Sequence, residues 1–241
     1  MTRTLLAHAV GTTILFGGFV AAHADEPRLL RPGQYHGNEI TAVSGERWLG
    51  LVRGAGRQDR LVPVTLQVDT VRDELLDEDG PATGKLVSAA PGGDAIVLLM
   101  ASIQGLRPGP VTTLTTDTGV APGEPIRLVL QGDVYSVSLE CRTPGSLKGT
   151  EQVACSLVVR HLREARVLRT YPEAYYVEGR FGAVGDDAHP TILWAGDLNG
   201  DAALDLLVDL TDHYNVSRPT LFLSRGRRAL EPVATHESVG C

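Results

Sequence analysis

Turn-forming residues recur along most of the chain at intervals too short for long helices: Gly54-Ala55-Gly56, Asp79-Gly80-Pro81, Pro91-Gly92-Gly93, Pro108-Gly109-Pro110, Pro122-Gly123 and Pro144-Gly145. Proline fixes φ and lacks an amide proton, and glycine reaches backbone conformations that other residues avoid, so each group ends one element and begins another. Between them lie runs of β-branched and large apolar residues over 48–52, 61–71, 85–87, 95–103, 128–139 and 157–159. Val62, Val64, Leu66 and Val68 are spaced by two, which puts four apolar side chains on one face of an extended strand. The expected fold is all-β: an N-terminal β-sandwich-like module over 25–180, then a smaller β-rich unit over 181–241. The polar, glycine-rich stretch 179–190 reads as too polar to pack and marks either the expected boundary or a long surface loop inside one domain.

The first residues carry one charge at Arg3, an apolar stretch over 5–20, and Ala22-His23-Ala24 before Asp25. That order is the n-region, h-region and small-residue cleavage site of a secretory signal, expected over 1–24. His8, Thr12 and Thr13 interrupt a stretch already shorter than the ~20 apolar residues of a membrane span. The expected location is therefore periplasmic or extracellular, with no stable membrane insertion after cleavage. The net charge of −7, with basic residues scattered, argues against nucleic acid as a partner. Export also places Cys141, Cys155 and Cys241 where disulfides persist. Cys141 and Cys155 flank Pro144-Gly145 between two β-like runs, so they are expected to bridge a hairpin, worth about 3 kcal/mol in the chain-entropy model. Cys241 stays free, pairs between chains, or takes a partner from the first pair.

One segment carries specific chemistry. Asp197-Leu198-Asn199-Gly200-Asp201-Ala202-Ala203-Leu204-Asp205 places oxygen-bearing side chains at loop positions 1, 3, 5 and 9. Calcium takes six to eight oxygens in flexible geometry, and a tightly wound loop aims alternate side chains and one carbonyl at a single centre. Asp197, Asn199, Asp201 and Asp205 supply side chains, and Ala203 is placed to supply the carbonyl. Position 12, a bidentate Glu in a helix-loop-helix site, is Val208 here, within a run that reads as a buried strand. A strand-loop-strand site fits better.

The same residues, Ala195 to Asp201 followed by Asp205-Leu206-Leu207-Val208, resemble the calcium loop of FG-GAP or VCBS-type repeats, in a single copy confined to about 191–225. The resemblance implies Ca2+ ligation by Asp197, Asn199, Asp201 and Asp205 with the Ala203 carbonyl. It departs from the family at Ala202, where glycine is usual because position 6 tends to need φ > 0. An alanine forced there would cost about 1 kcal/mol or more.

Weaker signals point elsewhere. Gly80 to Leu86 has one residue too few for a phosphate loop. The acidic run at Asp73-Glu74 and Asp77-Glu78-Asp79-Gly80 has the charge for a second cation but reads rather as a solvated loop. His189, Asp209, Asp212 and His213 lie near the calcium-type loop and make a periplasmic hydrolase the alternative, although no Gly-x-Ser-x-Gly or His-Glu-x-x-His element supplies a nucleophile or zinc. The leading expectation is a non-catalytic, calcium-binding envelope or adhesion protein with a protein or carbohydrate ligand.

Overall fold

The computed structural model describes residues 26–54, 58–91, 95–146, 148–226 and 228–240; the expected signal over 1–24 and Cys241 lie outside them. The described residues contain no helix and form antiparallel sheets. Alternating and continuous apolar runs, cut every few residues by Pro and Gly, leave the chain no other way to pair its backbone.

The first sheet holds β1 (Arg28–Leu30), β2 (Gly33–Tyr35), β3 (Arg47–Val52), β4 (Arg60–Val71), β5 (Gly84–Ala90) and β6 (Ile96–Ala101) in the order β1-β6-β3-β4-β5-β2, with β7 (Gly109–Pro110) paired to β4. Val62, Val64, Leu66 and Val68 do share one face. They pack with Trp48, Val87, Ile96 and Leu99 in a core made largely by this sheet alone.

Next, β8 (Thr112–Gly119) leaves for another sheet, and β9 (Ile126–Leu130), β10 (Asp133–Cys141), β11 (Thr150–His161), β12 (Glu164–Val177) and β13 (Arg180–Val184) form a meander in reverse sequence order. Cys141 and Cys155 stand directly opposite in the β10–β11 register and are joined by a disulfide. The stretch expected to be too polar to pack instead contributes β13, and Ala183, Val184 and Ala188 are buried. Val184 and Ala188 belong to the same core as Tyr171, Leu157 and Ile192.

Apart from a small pair of strands, β16 (Val216–Ser217) with β19 (Ser238–Val239), the remaining strands form a third sheet that runs β18 (Arg228–Thr235), β17 (Pro219–Arg225), β15 (Asp205–Asp209), β14 (Thr191–Asp197) and β8. It thus draws one strand from before residue 181 and four from after it. Both of its faces are covered. Ile192, Leu206, Val208 and Phe222 pack against the meander, while Trp194, Leu207, Leu221 and Leu223 pack against Leu51, Leu61, Leu98 and Met100 of the first sheet. This explains why 206–208 and 221–223 read as continuous apolar runs rather than alternating ones.

The acidic run between β4 and β5 is not a solvated loop throughout. Asp73 and Asp77 are buried, and His36 of the β2–β3 connection hydrogen-bonds Asp73 through Nδ1. That bond raises the His36 pKa and holds the Asp73 carboxyl below its ordinary range, while hydrogen bonds from Thr83 and the Asp73 amide bring Asp77 down to about 2. The carboxylates contribute stability present above their unfolded value of about 3.9 and lost as pH falls toward their folded values. The histidine contributes stability present below about 6.5 and lost as pH rises through its raised value. The stability advantage of the wild type over His36→Gln is therefore expected to be largest between about pH 4 and 6.5. Urea denaturation across pH 3 to 9 checks this, and an advantage that does not change with pH contradicts it.

Candidate metal centre

The loop follows β14 and precedes β15, two largely buried strands, so both of its ends are held by the core. At the entry, Gly196 is obligatory: a Cβ there would lie 1.9 Å from the Thr112 carbonyl oxygen and 2.7 Å from the Trp194 ring. Leu198, Ala203 and Leu204 are buried and anchor the loop from below.

The spacing of oxygen side chains winds the backbone. Asp197 Oδ1 accepts the amides of Gly200 (2.7 Å) and Asp201 (3.2 Å), and its Oδ2 accepts that of Ala202 (3.0 Å). Asn199 Oδ1 accepts the Asp201 amide and Asp201 Oδ1 the Ala203 amide, each at 3.0 Å. These are successive turns in which a short side chain captures the backbone two to five residues on. Winding this tight drives Gly200 to φ +80° and Ala202 to φ +67°. Position 6 is therefore left-handed, as the loop chemistry required, and alanine occupies it at a cost. Ala202→Gly is expected to stabilise the chelator-treated protein by roughly 0.5–1 kcal/mol, the gain from relieved strain less the extra chain entropy of glycine. Urea denaturation measures it, and a destabilised variant would show that Ala202 is not strained.

Closure of the loop comes from far along the chain. Ser224 and Gly226, at the end of β17, reach the acidic side chains. The Ser224 amide donates to Asp205 Oδ1 (2.7 Å), and the Gly226 amide donates to Asp201 Oδ2 (2.6 Å). Ser224 Oγ lies 2.9 Å from Asp205 Oδ1 and 3.1 and 3.2 Å from the two Asp201 oxygens. A hydroxyl has one proton, so it serves one of those three oxygens at a time. Asp205 Oδ2 accepts the amides of Leu198 (2.7 Å) and Asn199 (3.2 Å). Sequence reading missed Ser224 and Gly226 because nothing local marks them.

Asp205 is wholly buried, at 0% exposure. Burial, with the Asp201 charge adding to it, outweighs the hydrogen bonds from Ser224 and Leu198 and pushes its carboxyl up to about 6. Among the described residues, none of Asp197, Asp201 and Asp205 enters a salt bridge with a basic side chain. The donor set is all oxygen, which suits a hard divalent cation. Two of the five expected donors, Asn199 and the Ala203 carbonyl, are neutral. Among the described residues no three His, Cys, Asp or Glu side chains are placed to hold a metal ion together, and that includes Asp197, Asp201 and Asp205, whose oxygens are occupied by backbone amides.

The residues of the hydrolase alternative have other partners. Asp212 accepts from Arg169 and, at 3.1 Å, from Arg218; although burial works against it, those guanidiniums hold its carboxyl below the ordinary range. His213 lies 3.1 Å from Asp186 and stacks on Tyr214, and His189 meets the edge of Phe181. Asp209 caps the following turn, accepting from the amides of Thr211 and Arg218 and the Ser217 hydroxyl.

Comparison with family models, with curated proteins and with solved structures finds no match to this chain.

Proposed function

We propose that the chain is an exported, non-catalytic β protein that binds Ca2+ in the loop between β14 and β15 and serves as a binding or adhesion module of the cell envelope. The observation that carries this reading is electrostatic. Three carboxylates belong to one short loop, the innermost is fully buried, and hydrogen-bond donors rather than cationic side chains surround them. Buried negative charge without a countercharge is costly, and a divalent cation offsets it directly. Asp197, Asn199, Asp201 and Asp205 would hold the ion with the Ala203 carbonyl, and the ion would tie β14, β15 and the end of β17 into one unit. Its role is to stiffen a binding scaffold whose ligand is a protein or carbohydrate, not to perform chemistry. Calorimetric titration of chelator-treated protein tests it. One calcium bound per chain is expected, and no binding up to millimolar calcium rejects the assignment.

A further inference from the structure

The connection from β4 to β5 is built to hold a short turn outward. Asp73 Oδ1 accepts the amides of Leu75 and Leu76, both at 3.1 Å, while its other oxygen binds His36. Asp77 Oδ2 accepts the amides of Asp73 (2.7 Å) and Thr83 (2.8 Å), and Oδ1 accepts the Thr83 hydroxyl (2.6 Å). The Asp77 amide returns to the Asp73 carbonyl at 2.8 Å, and the Arg72 guanidinium donates to the Asp77 carbonyl. Two buried carboxylates and a histidine thus serve the backbone of a turn at 74–76. What this framework displays is apolar: Leu75 is 61% exposed and Leu76 62%. The amides of both leucines are held by Asp73 while their side chains stand in water. The exposed carboxylates Glu74, Glu78 and Asp79 flank them, and among the described residues none of the three enters a salt bridge.

We propose that the Leu75–Leu76 turn is a docking knob for a protein partner that offers an apolar cleft rimmed by arginine or lysine. Burying both leucines supplies the attraction, and a turn already fixed by hydrogen bonds loses little conformational entropy on binding. The surrounding carboxylates select a basic rim and speed its approach. The same charges repel an anionic membrane surface, and the net charge of −7 disfavours a second copy of this chain as occupant.

The test places the photoreactive residue p-benzoylphenylalanine at position 76 of the full-length chain in the cells that make it. Val129, exposed on another sheet, carries the same residue as a control. Irradiation should give an adduct with one protein that the control site does not give. That protein, once purified, should bind the unmodified chain, and Leu75→Ser with Leu76→Ser should weaken binding about tenfold or more with no change in melting temperature. The triple change Glu74→Lys, Glu78→Lys, Asp79→Lys should also weaken it and remove its salt dependence. An adduct equal to the control, an adduct with a second copy of the chain, flotation with phosphatidylglycerol vesicles, or binding unmoved by these variants each overturns the proposal.

Discussion

Calcium added to chelator-treated protein at about a hundred times its dissociation constant should raise the free energy of unfolding by roughly 2.7 kcal/mol, because an ion that binds only the native state stabilises it by mass action. For a chain of this size that corresponds to a rise of roughly 5–10 °C in melting temperature, reversed by chelator. Magnesium should do much less, since it demands a tighter octahedron and gives up its waters reluctantly. Asp201→Ala should abolish the calcium response. The same change removes the acceptor for the Gly226 and Ala203 amides, so some loss of stability is expected even without calcium. The informative quantity is therefore the difference between melts with and without calcium, compared between wild type and variant. A calcium-dependent difference that survives Asp201→Ala would move the site elsewhere.

Leu206→Ala and Leu207→Ala, changes at adjacent residues of β15, should each cost roughly 2–5 kcal/mol. In a sheet with one solvated face, neighbours alternate between core and water, and one of the two would be nearly silent. Here Leu206 packs toward the meander and Leu207 toward the first sheet, and both are buried. Val129→Ala, on the outer face of the meander, should by contrast change stability by less than about 0.5 kcal/mol. Equilibrium denaturation in urea measures all three. A silent Leu207→Ala would mean that the first and third sheets do not form a common core.

Much of the candidate loop was legible because its geometry is local. Side chains at positions 1, 3 and 5 capture amides two to five residues ahead, so spacing alone predicts the winding and the left-handed backbone at Ala202. The disulfide was legible for the same reason, its cysteines flanking one hairpin. Two neighbouring strands of the meander were harder to read. β12 runs for 14 residues with most of its first half in contact with solvent, so no apolar period announces it. β13 was missed because its small residues are buried by what packs over them rather than by their own hydrophobicity.

By itself, the sequence determined that this chain is all-β, where most of its turns fall, which cysteines meet, and which loop is wound by its own Asp and Asn side chains. Each of those properties depends on residues within about fifteen positions of one another, where chain connectivity already enforces proximity. Tertiary structure alone decided that β8 crosses to join β14, that one sheet is buried on both faces, and that Ser224 and Gly226 close the loop around Asp201 and Asp205. It also decided that Asp73 and Asp77, which look solvated in the sequence, are buried struts of a turn. A carboxylate's side of the surface depends on which distant amides and hydroxyls reach it. Burial is tolerable only when those donors arrive, and the linear order of residues does not specify their arrival.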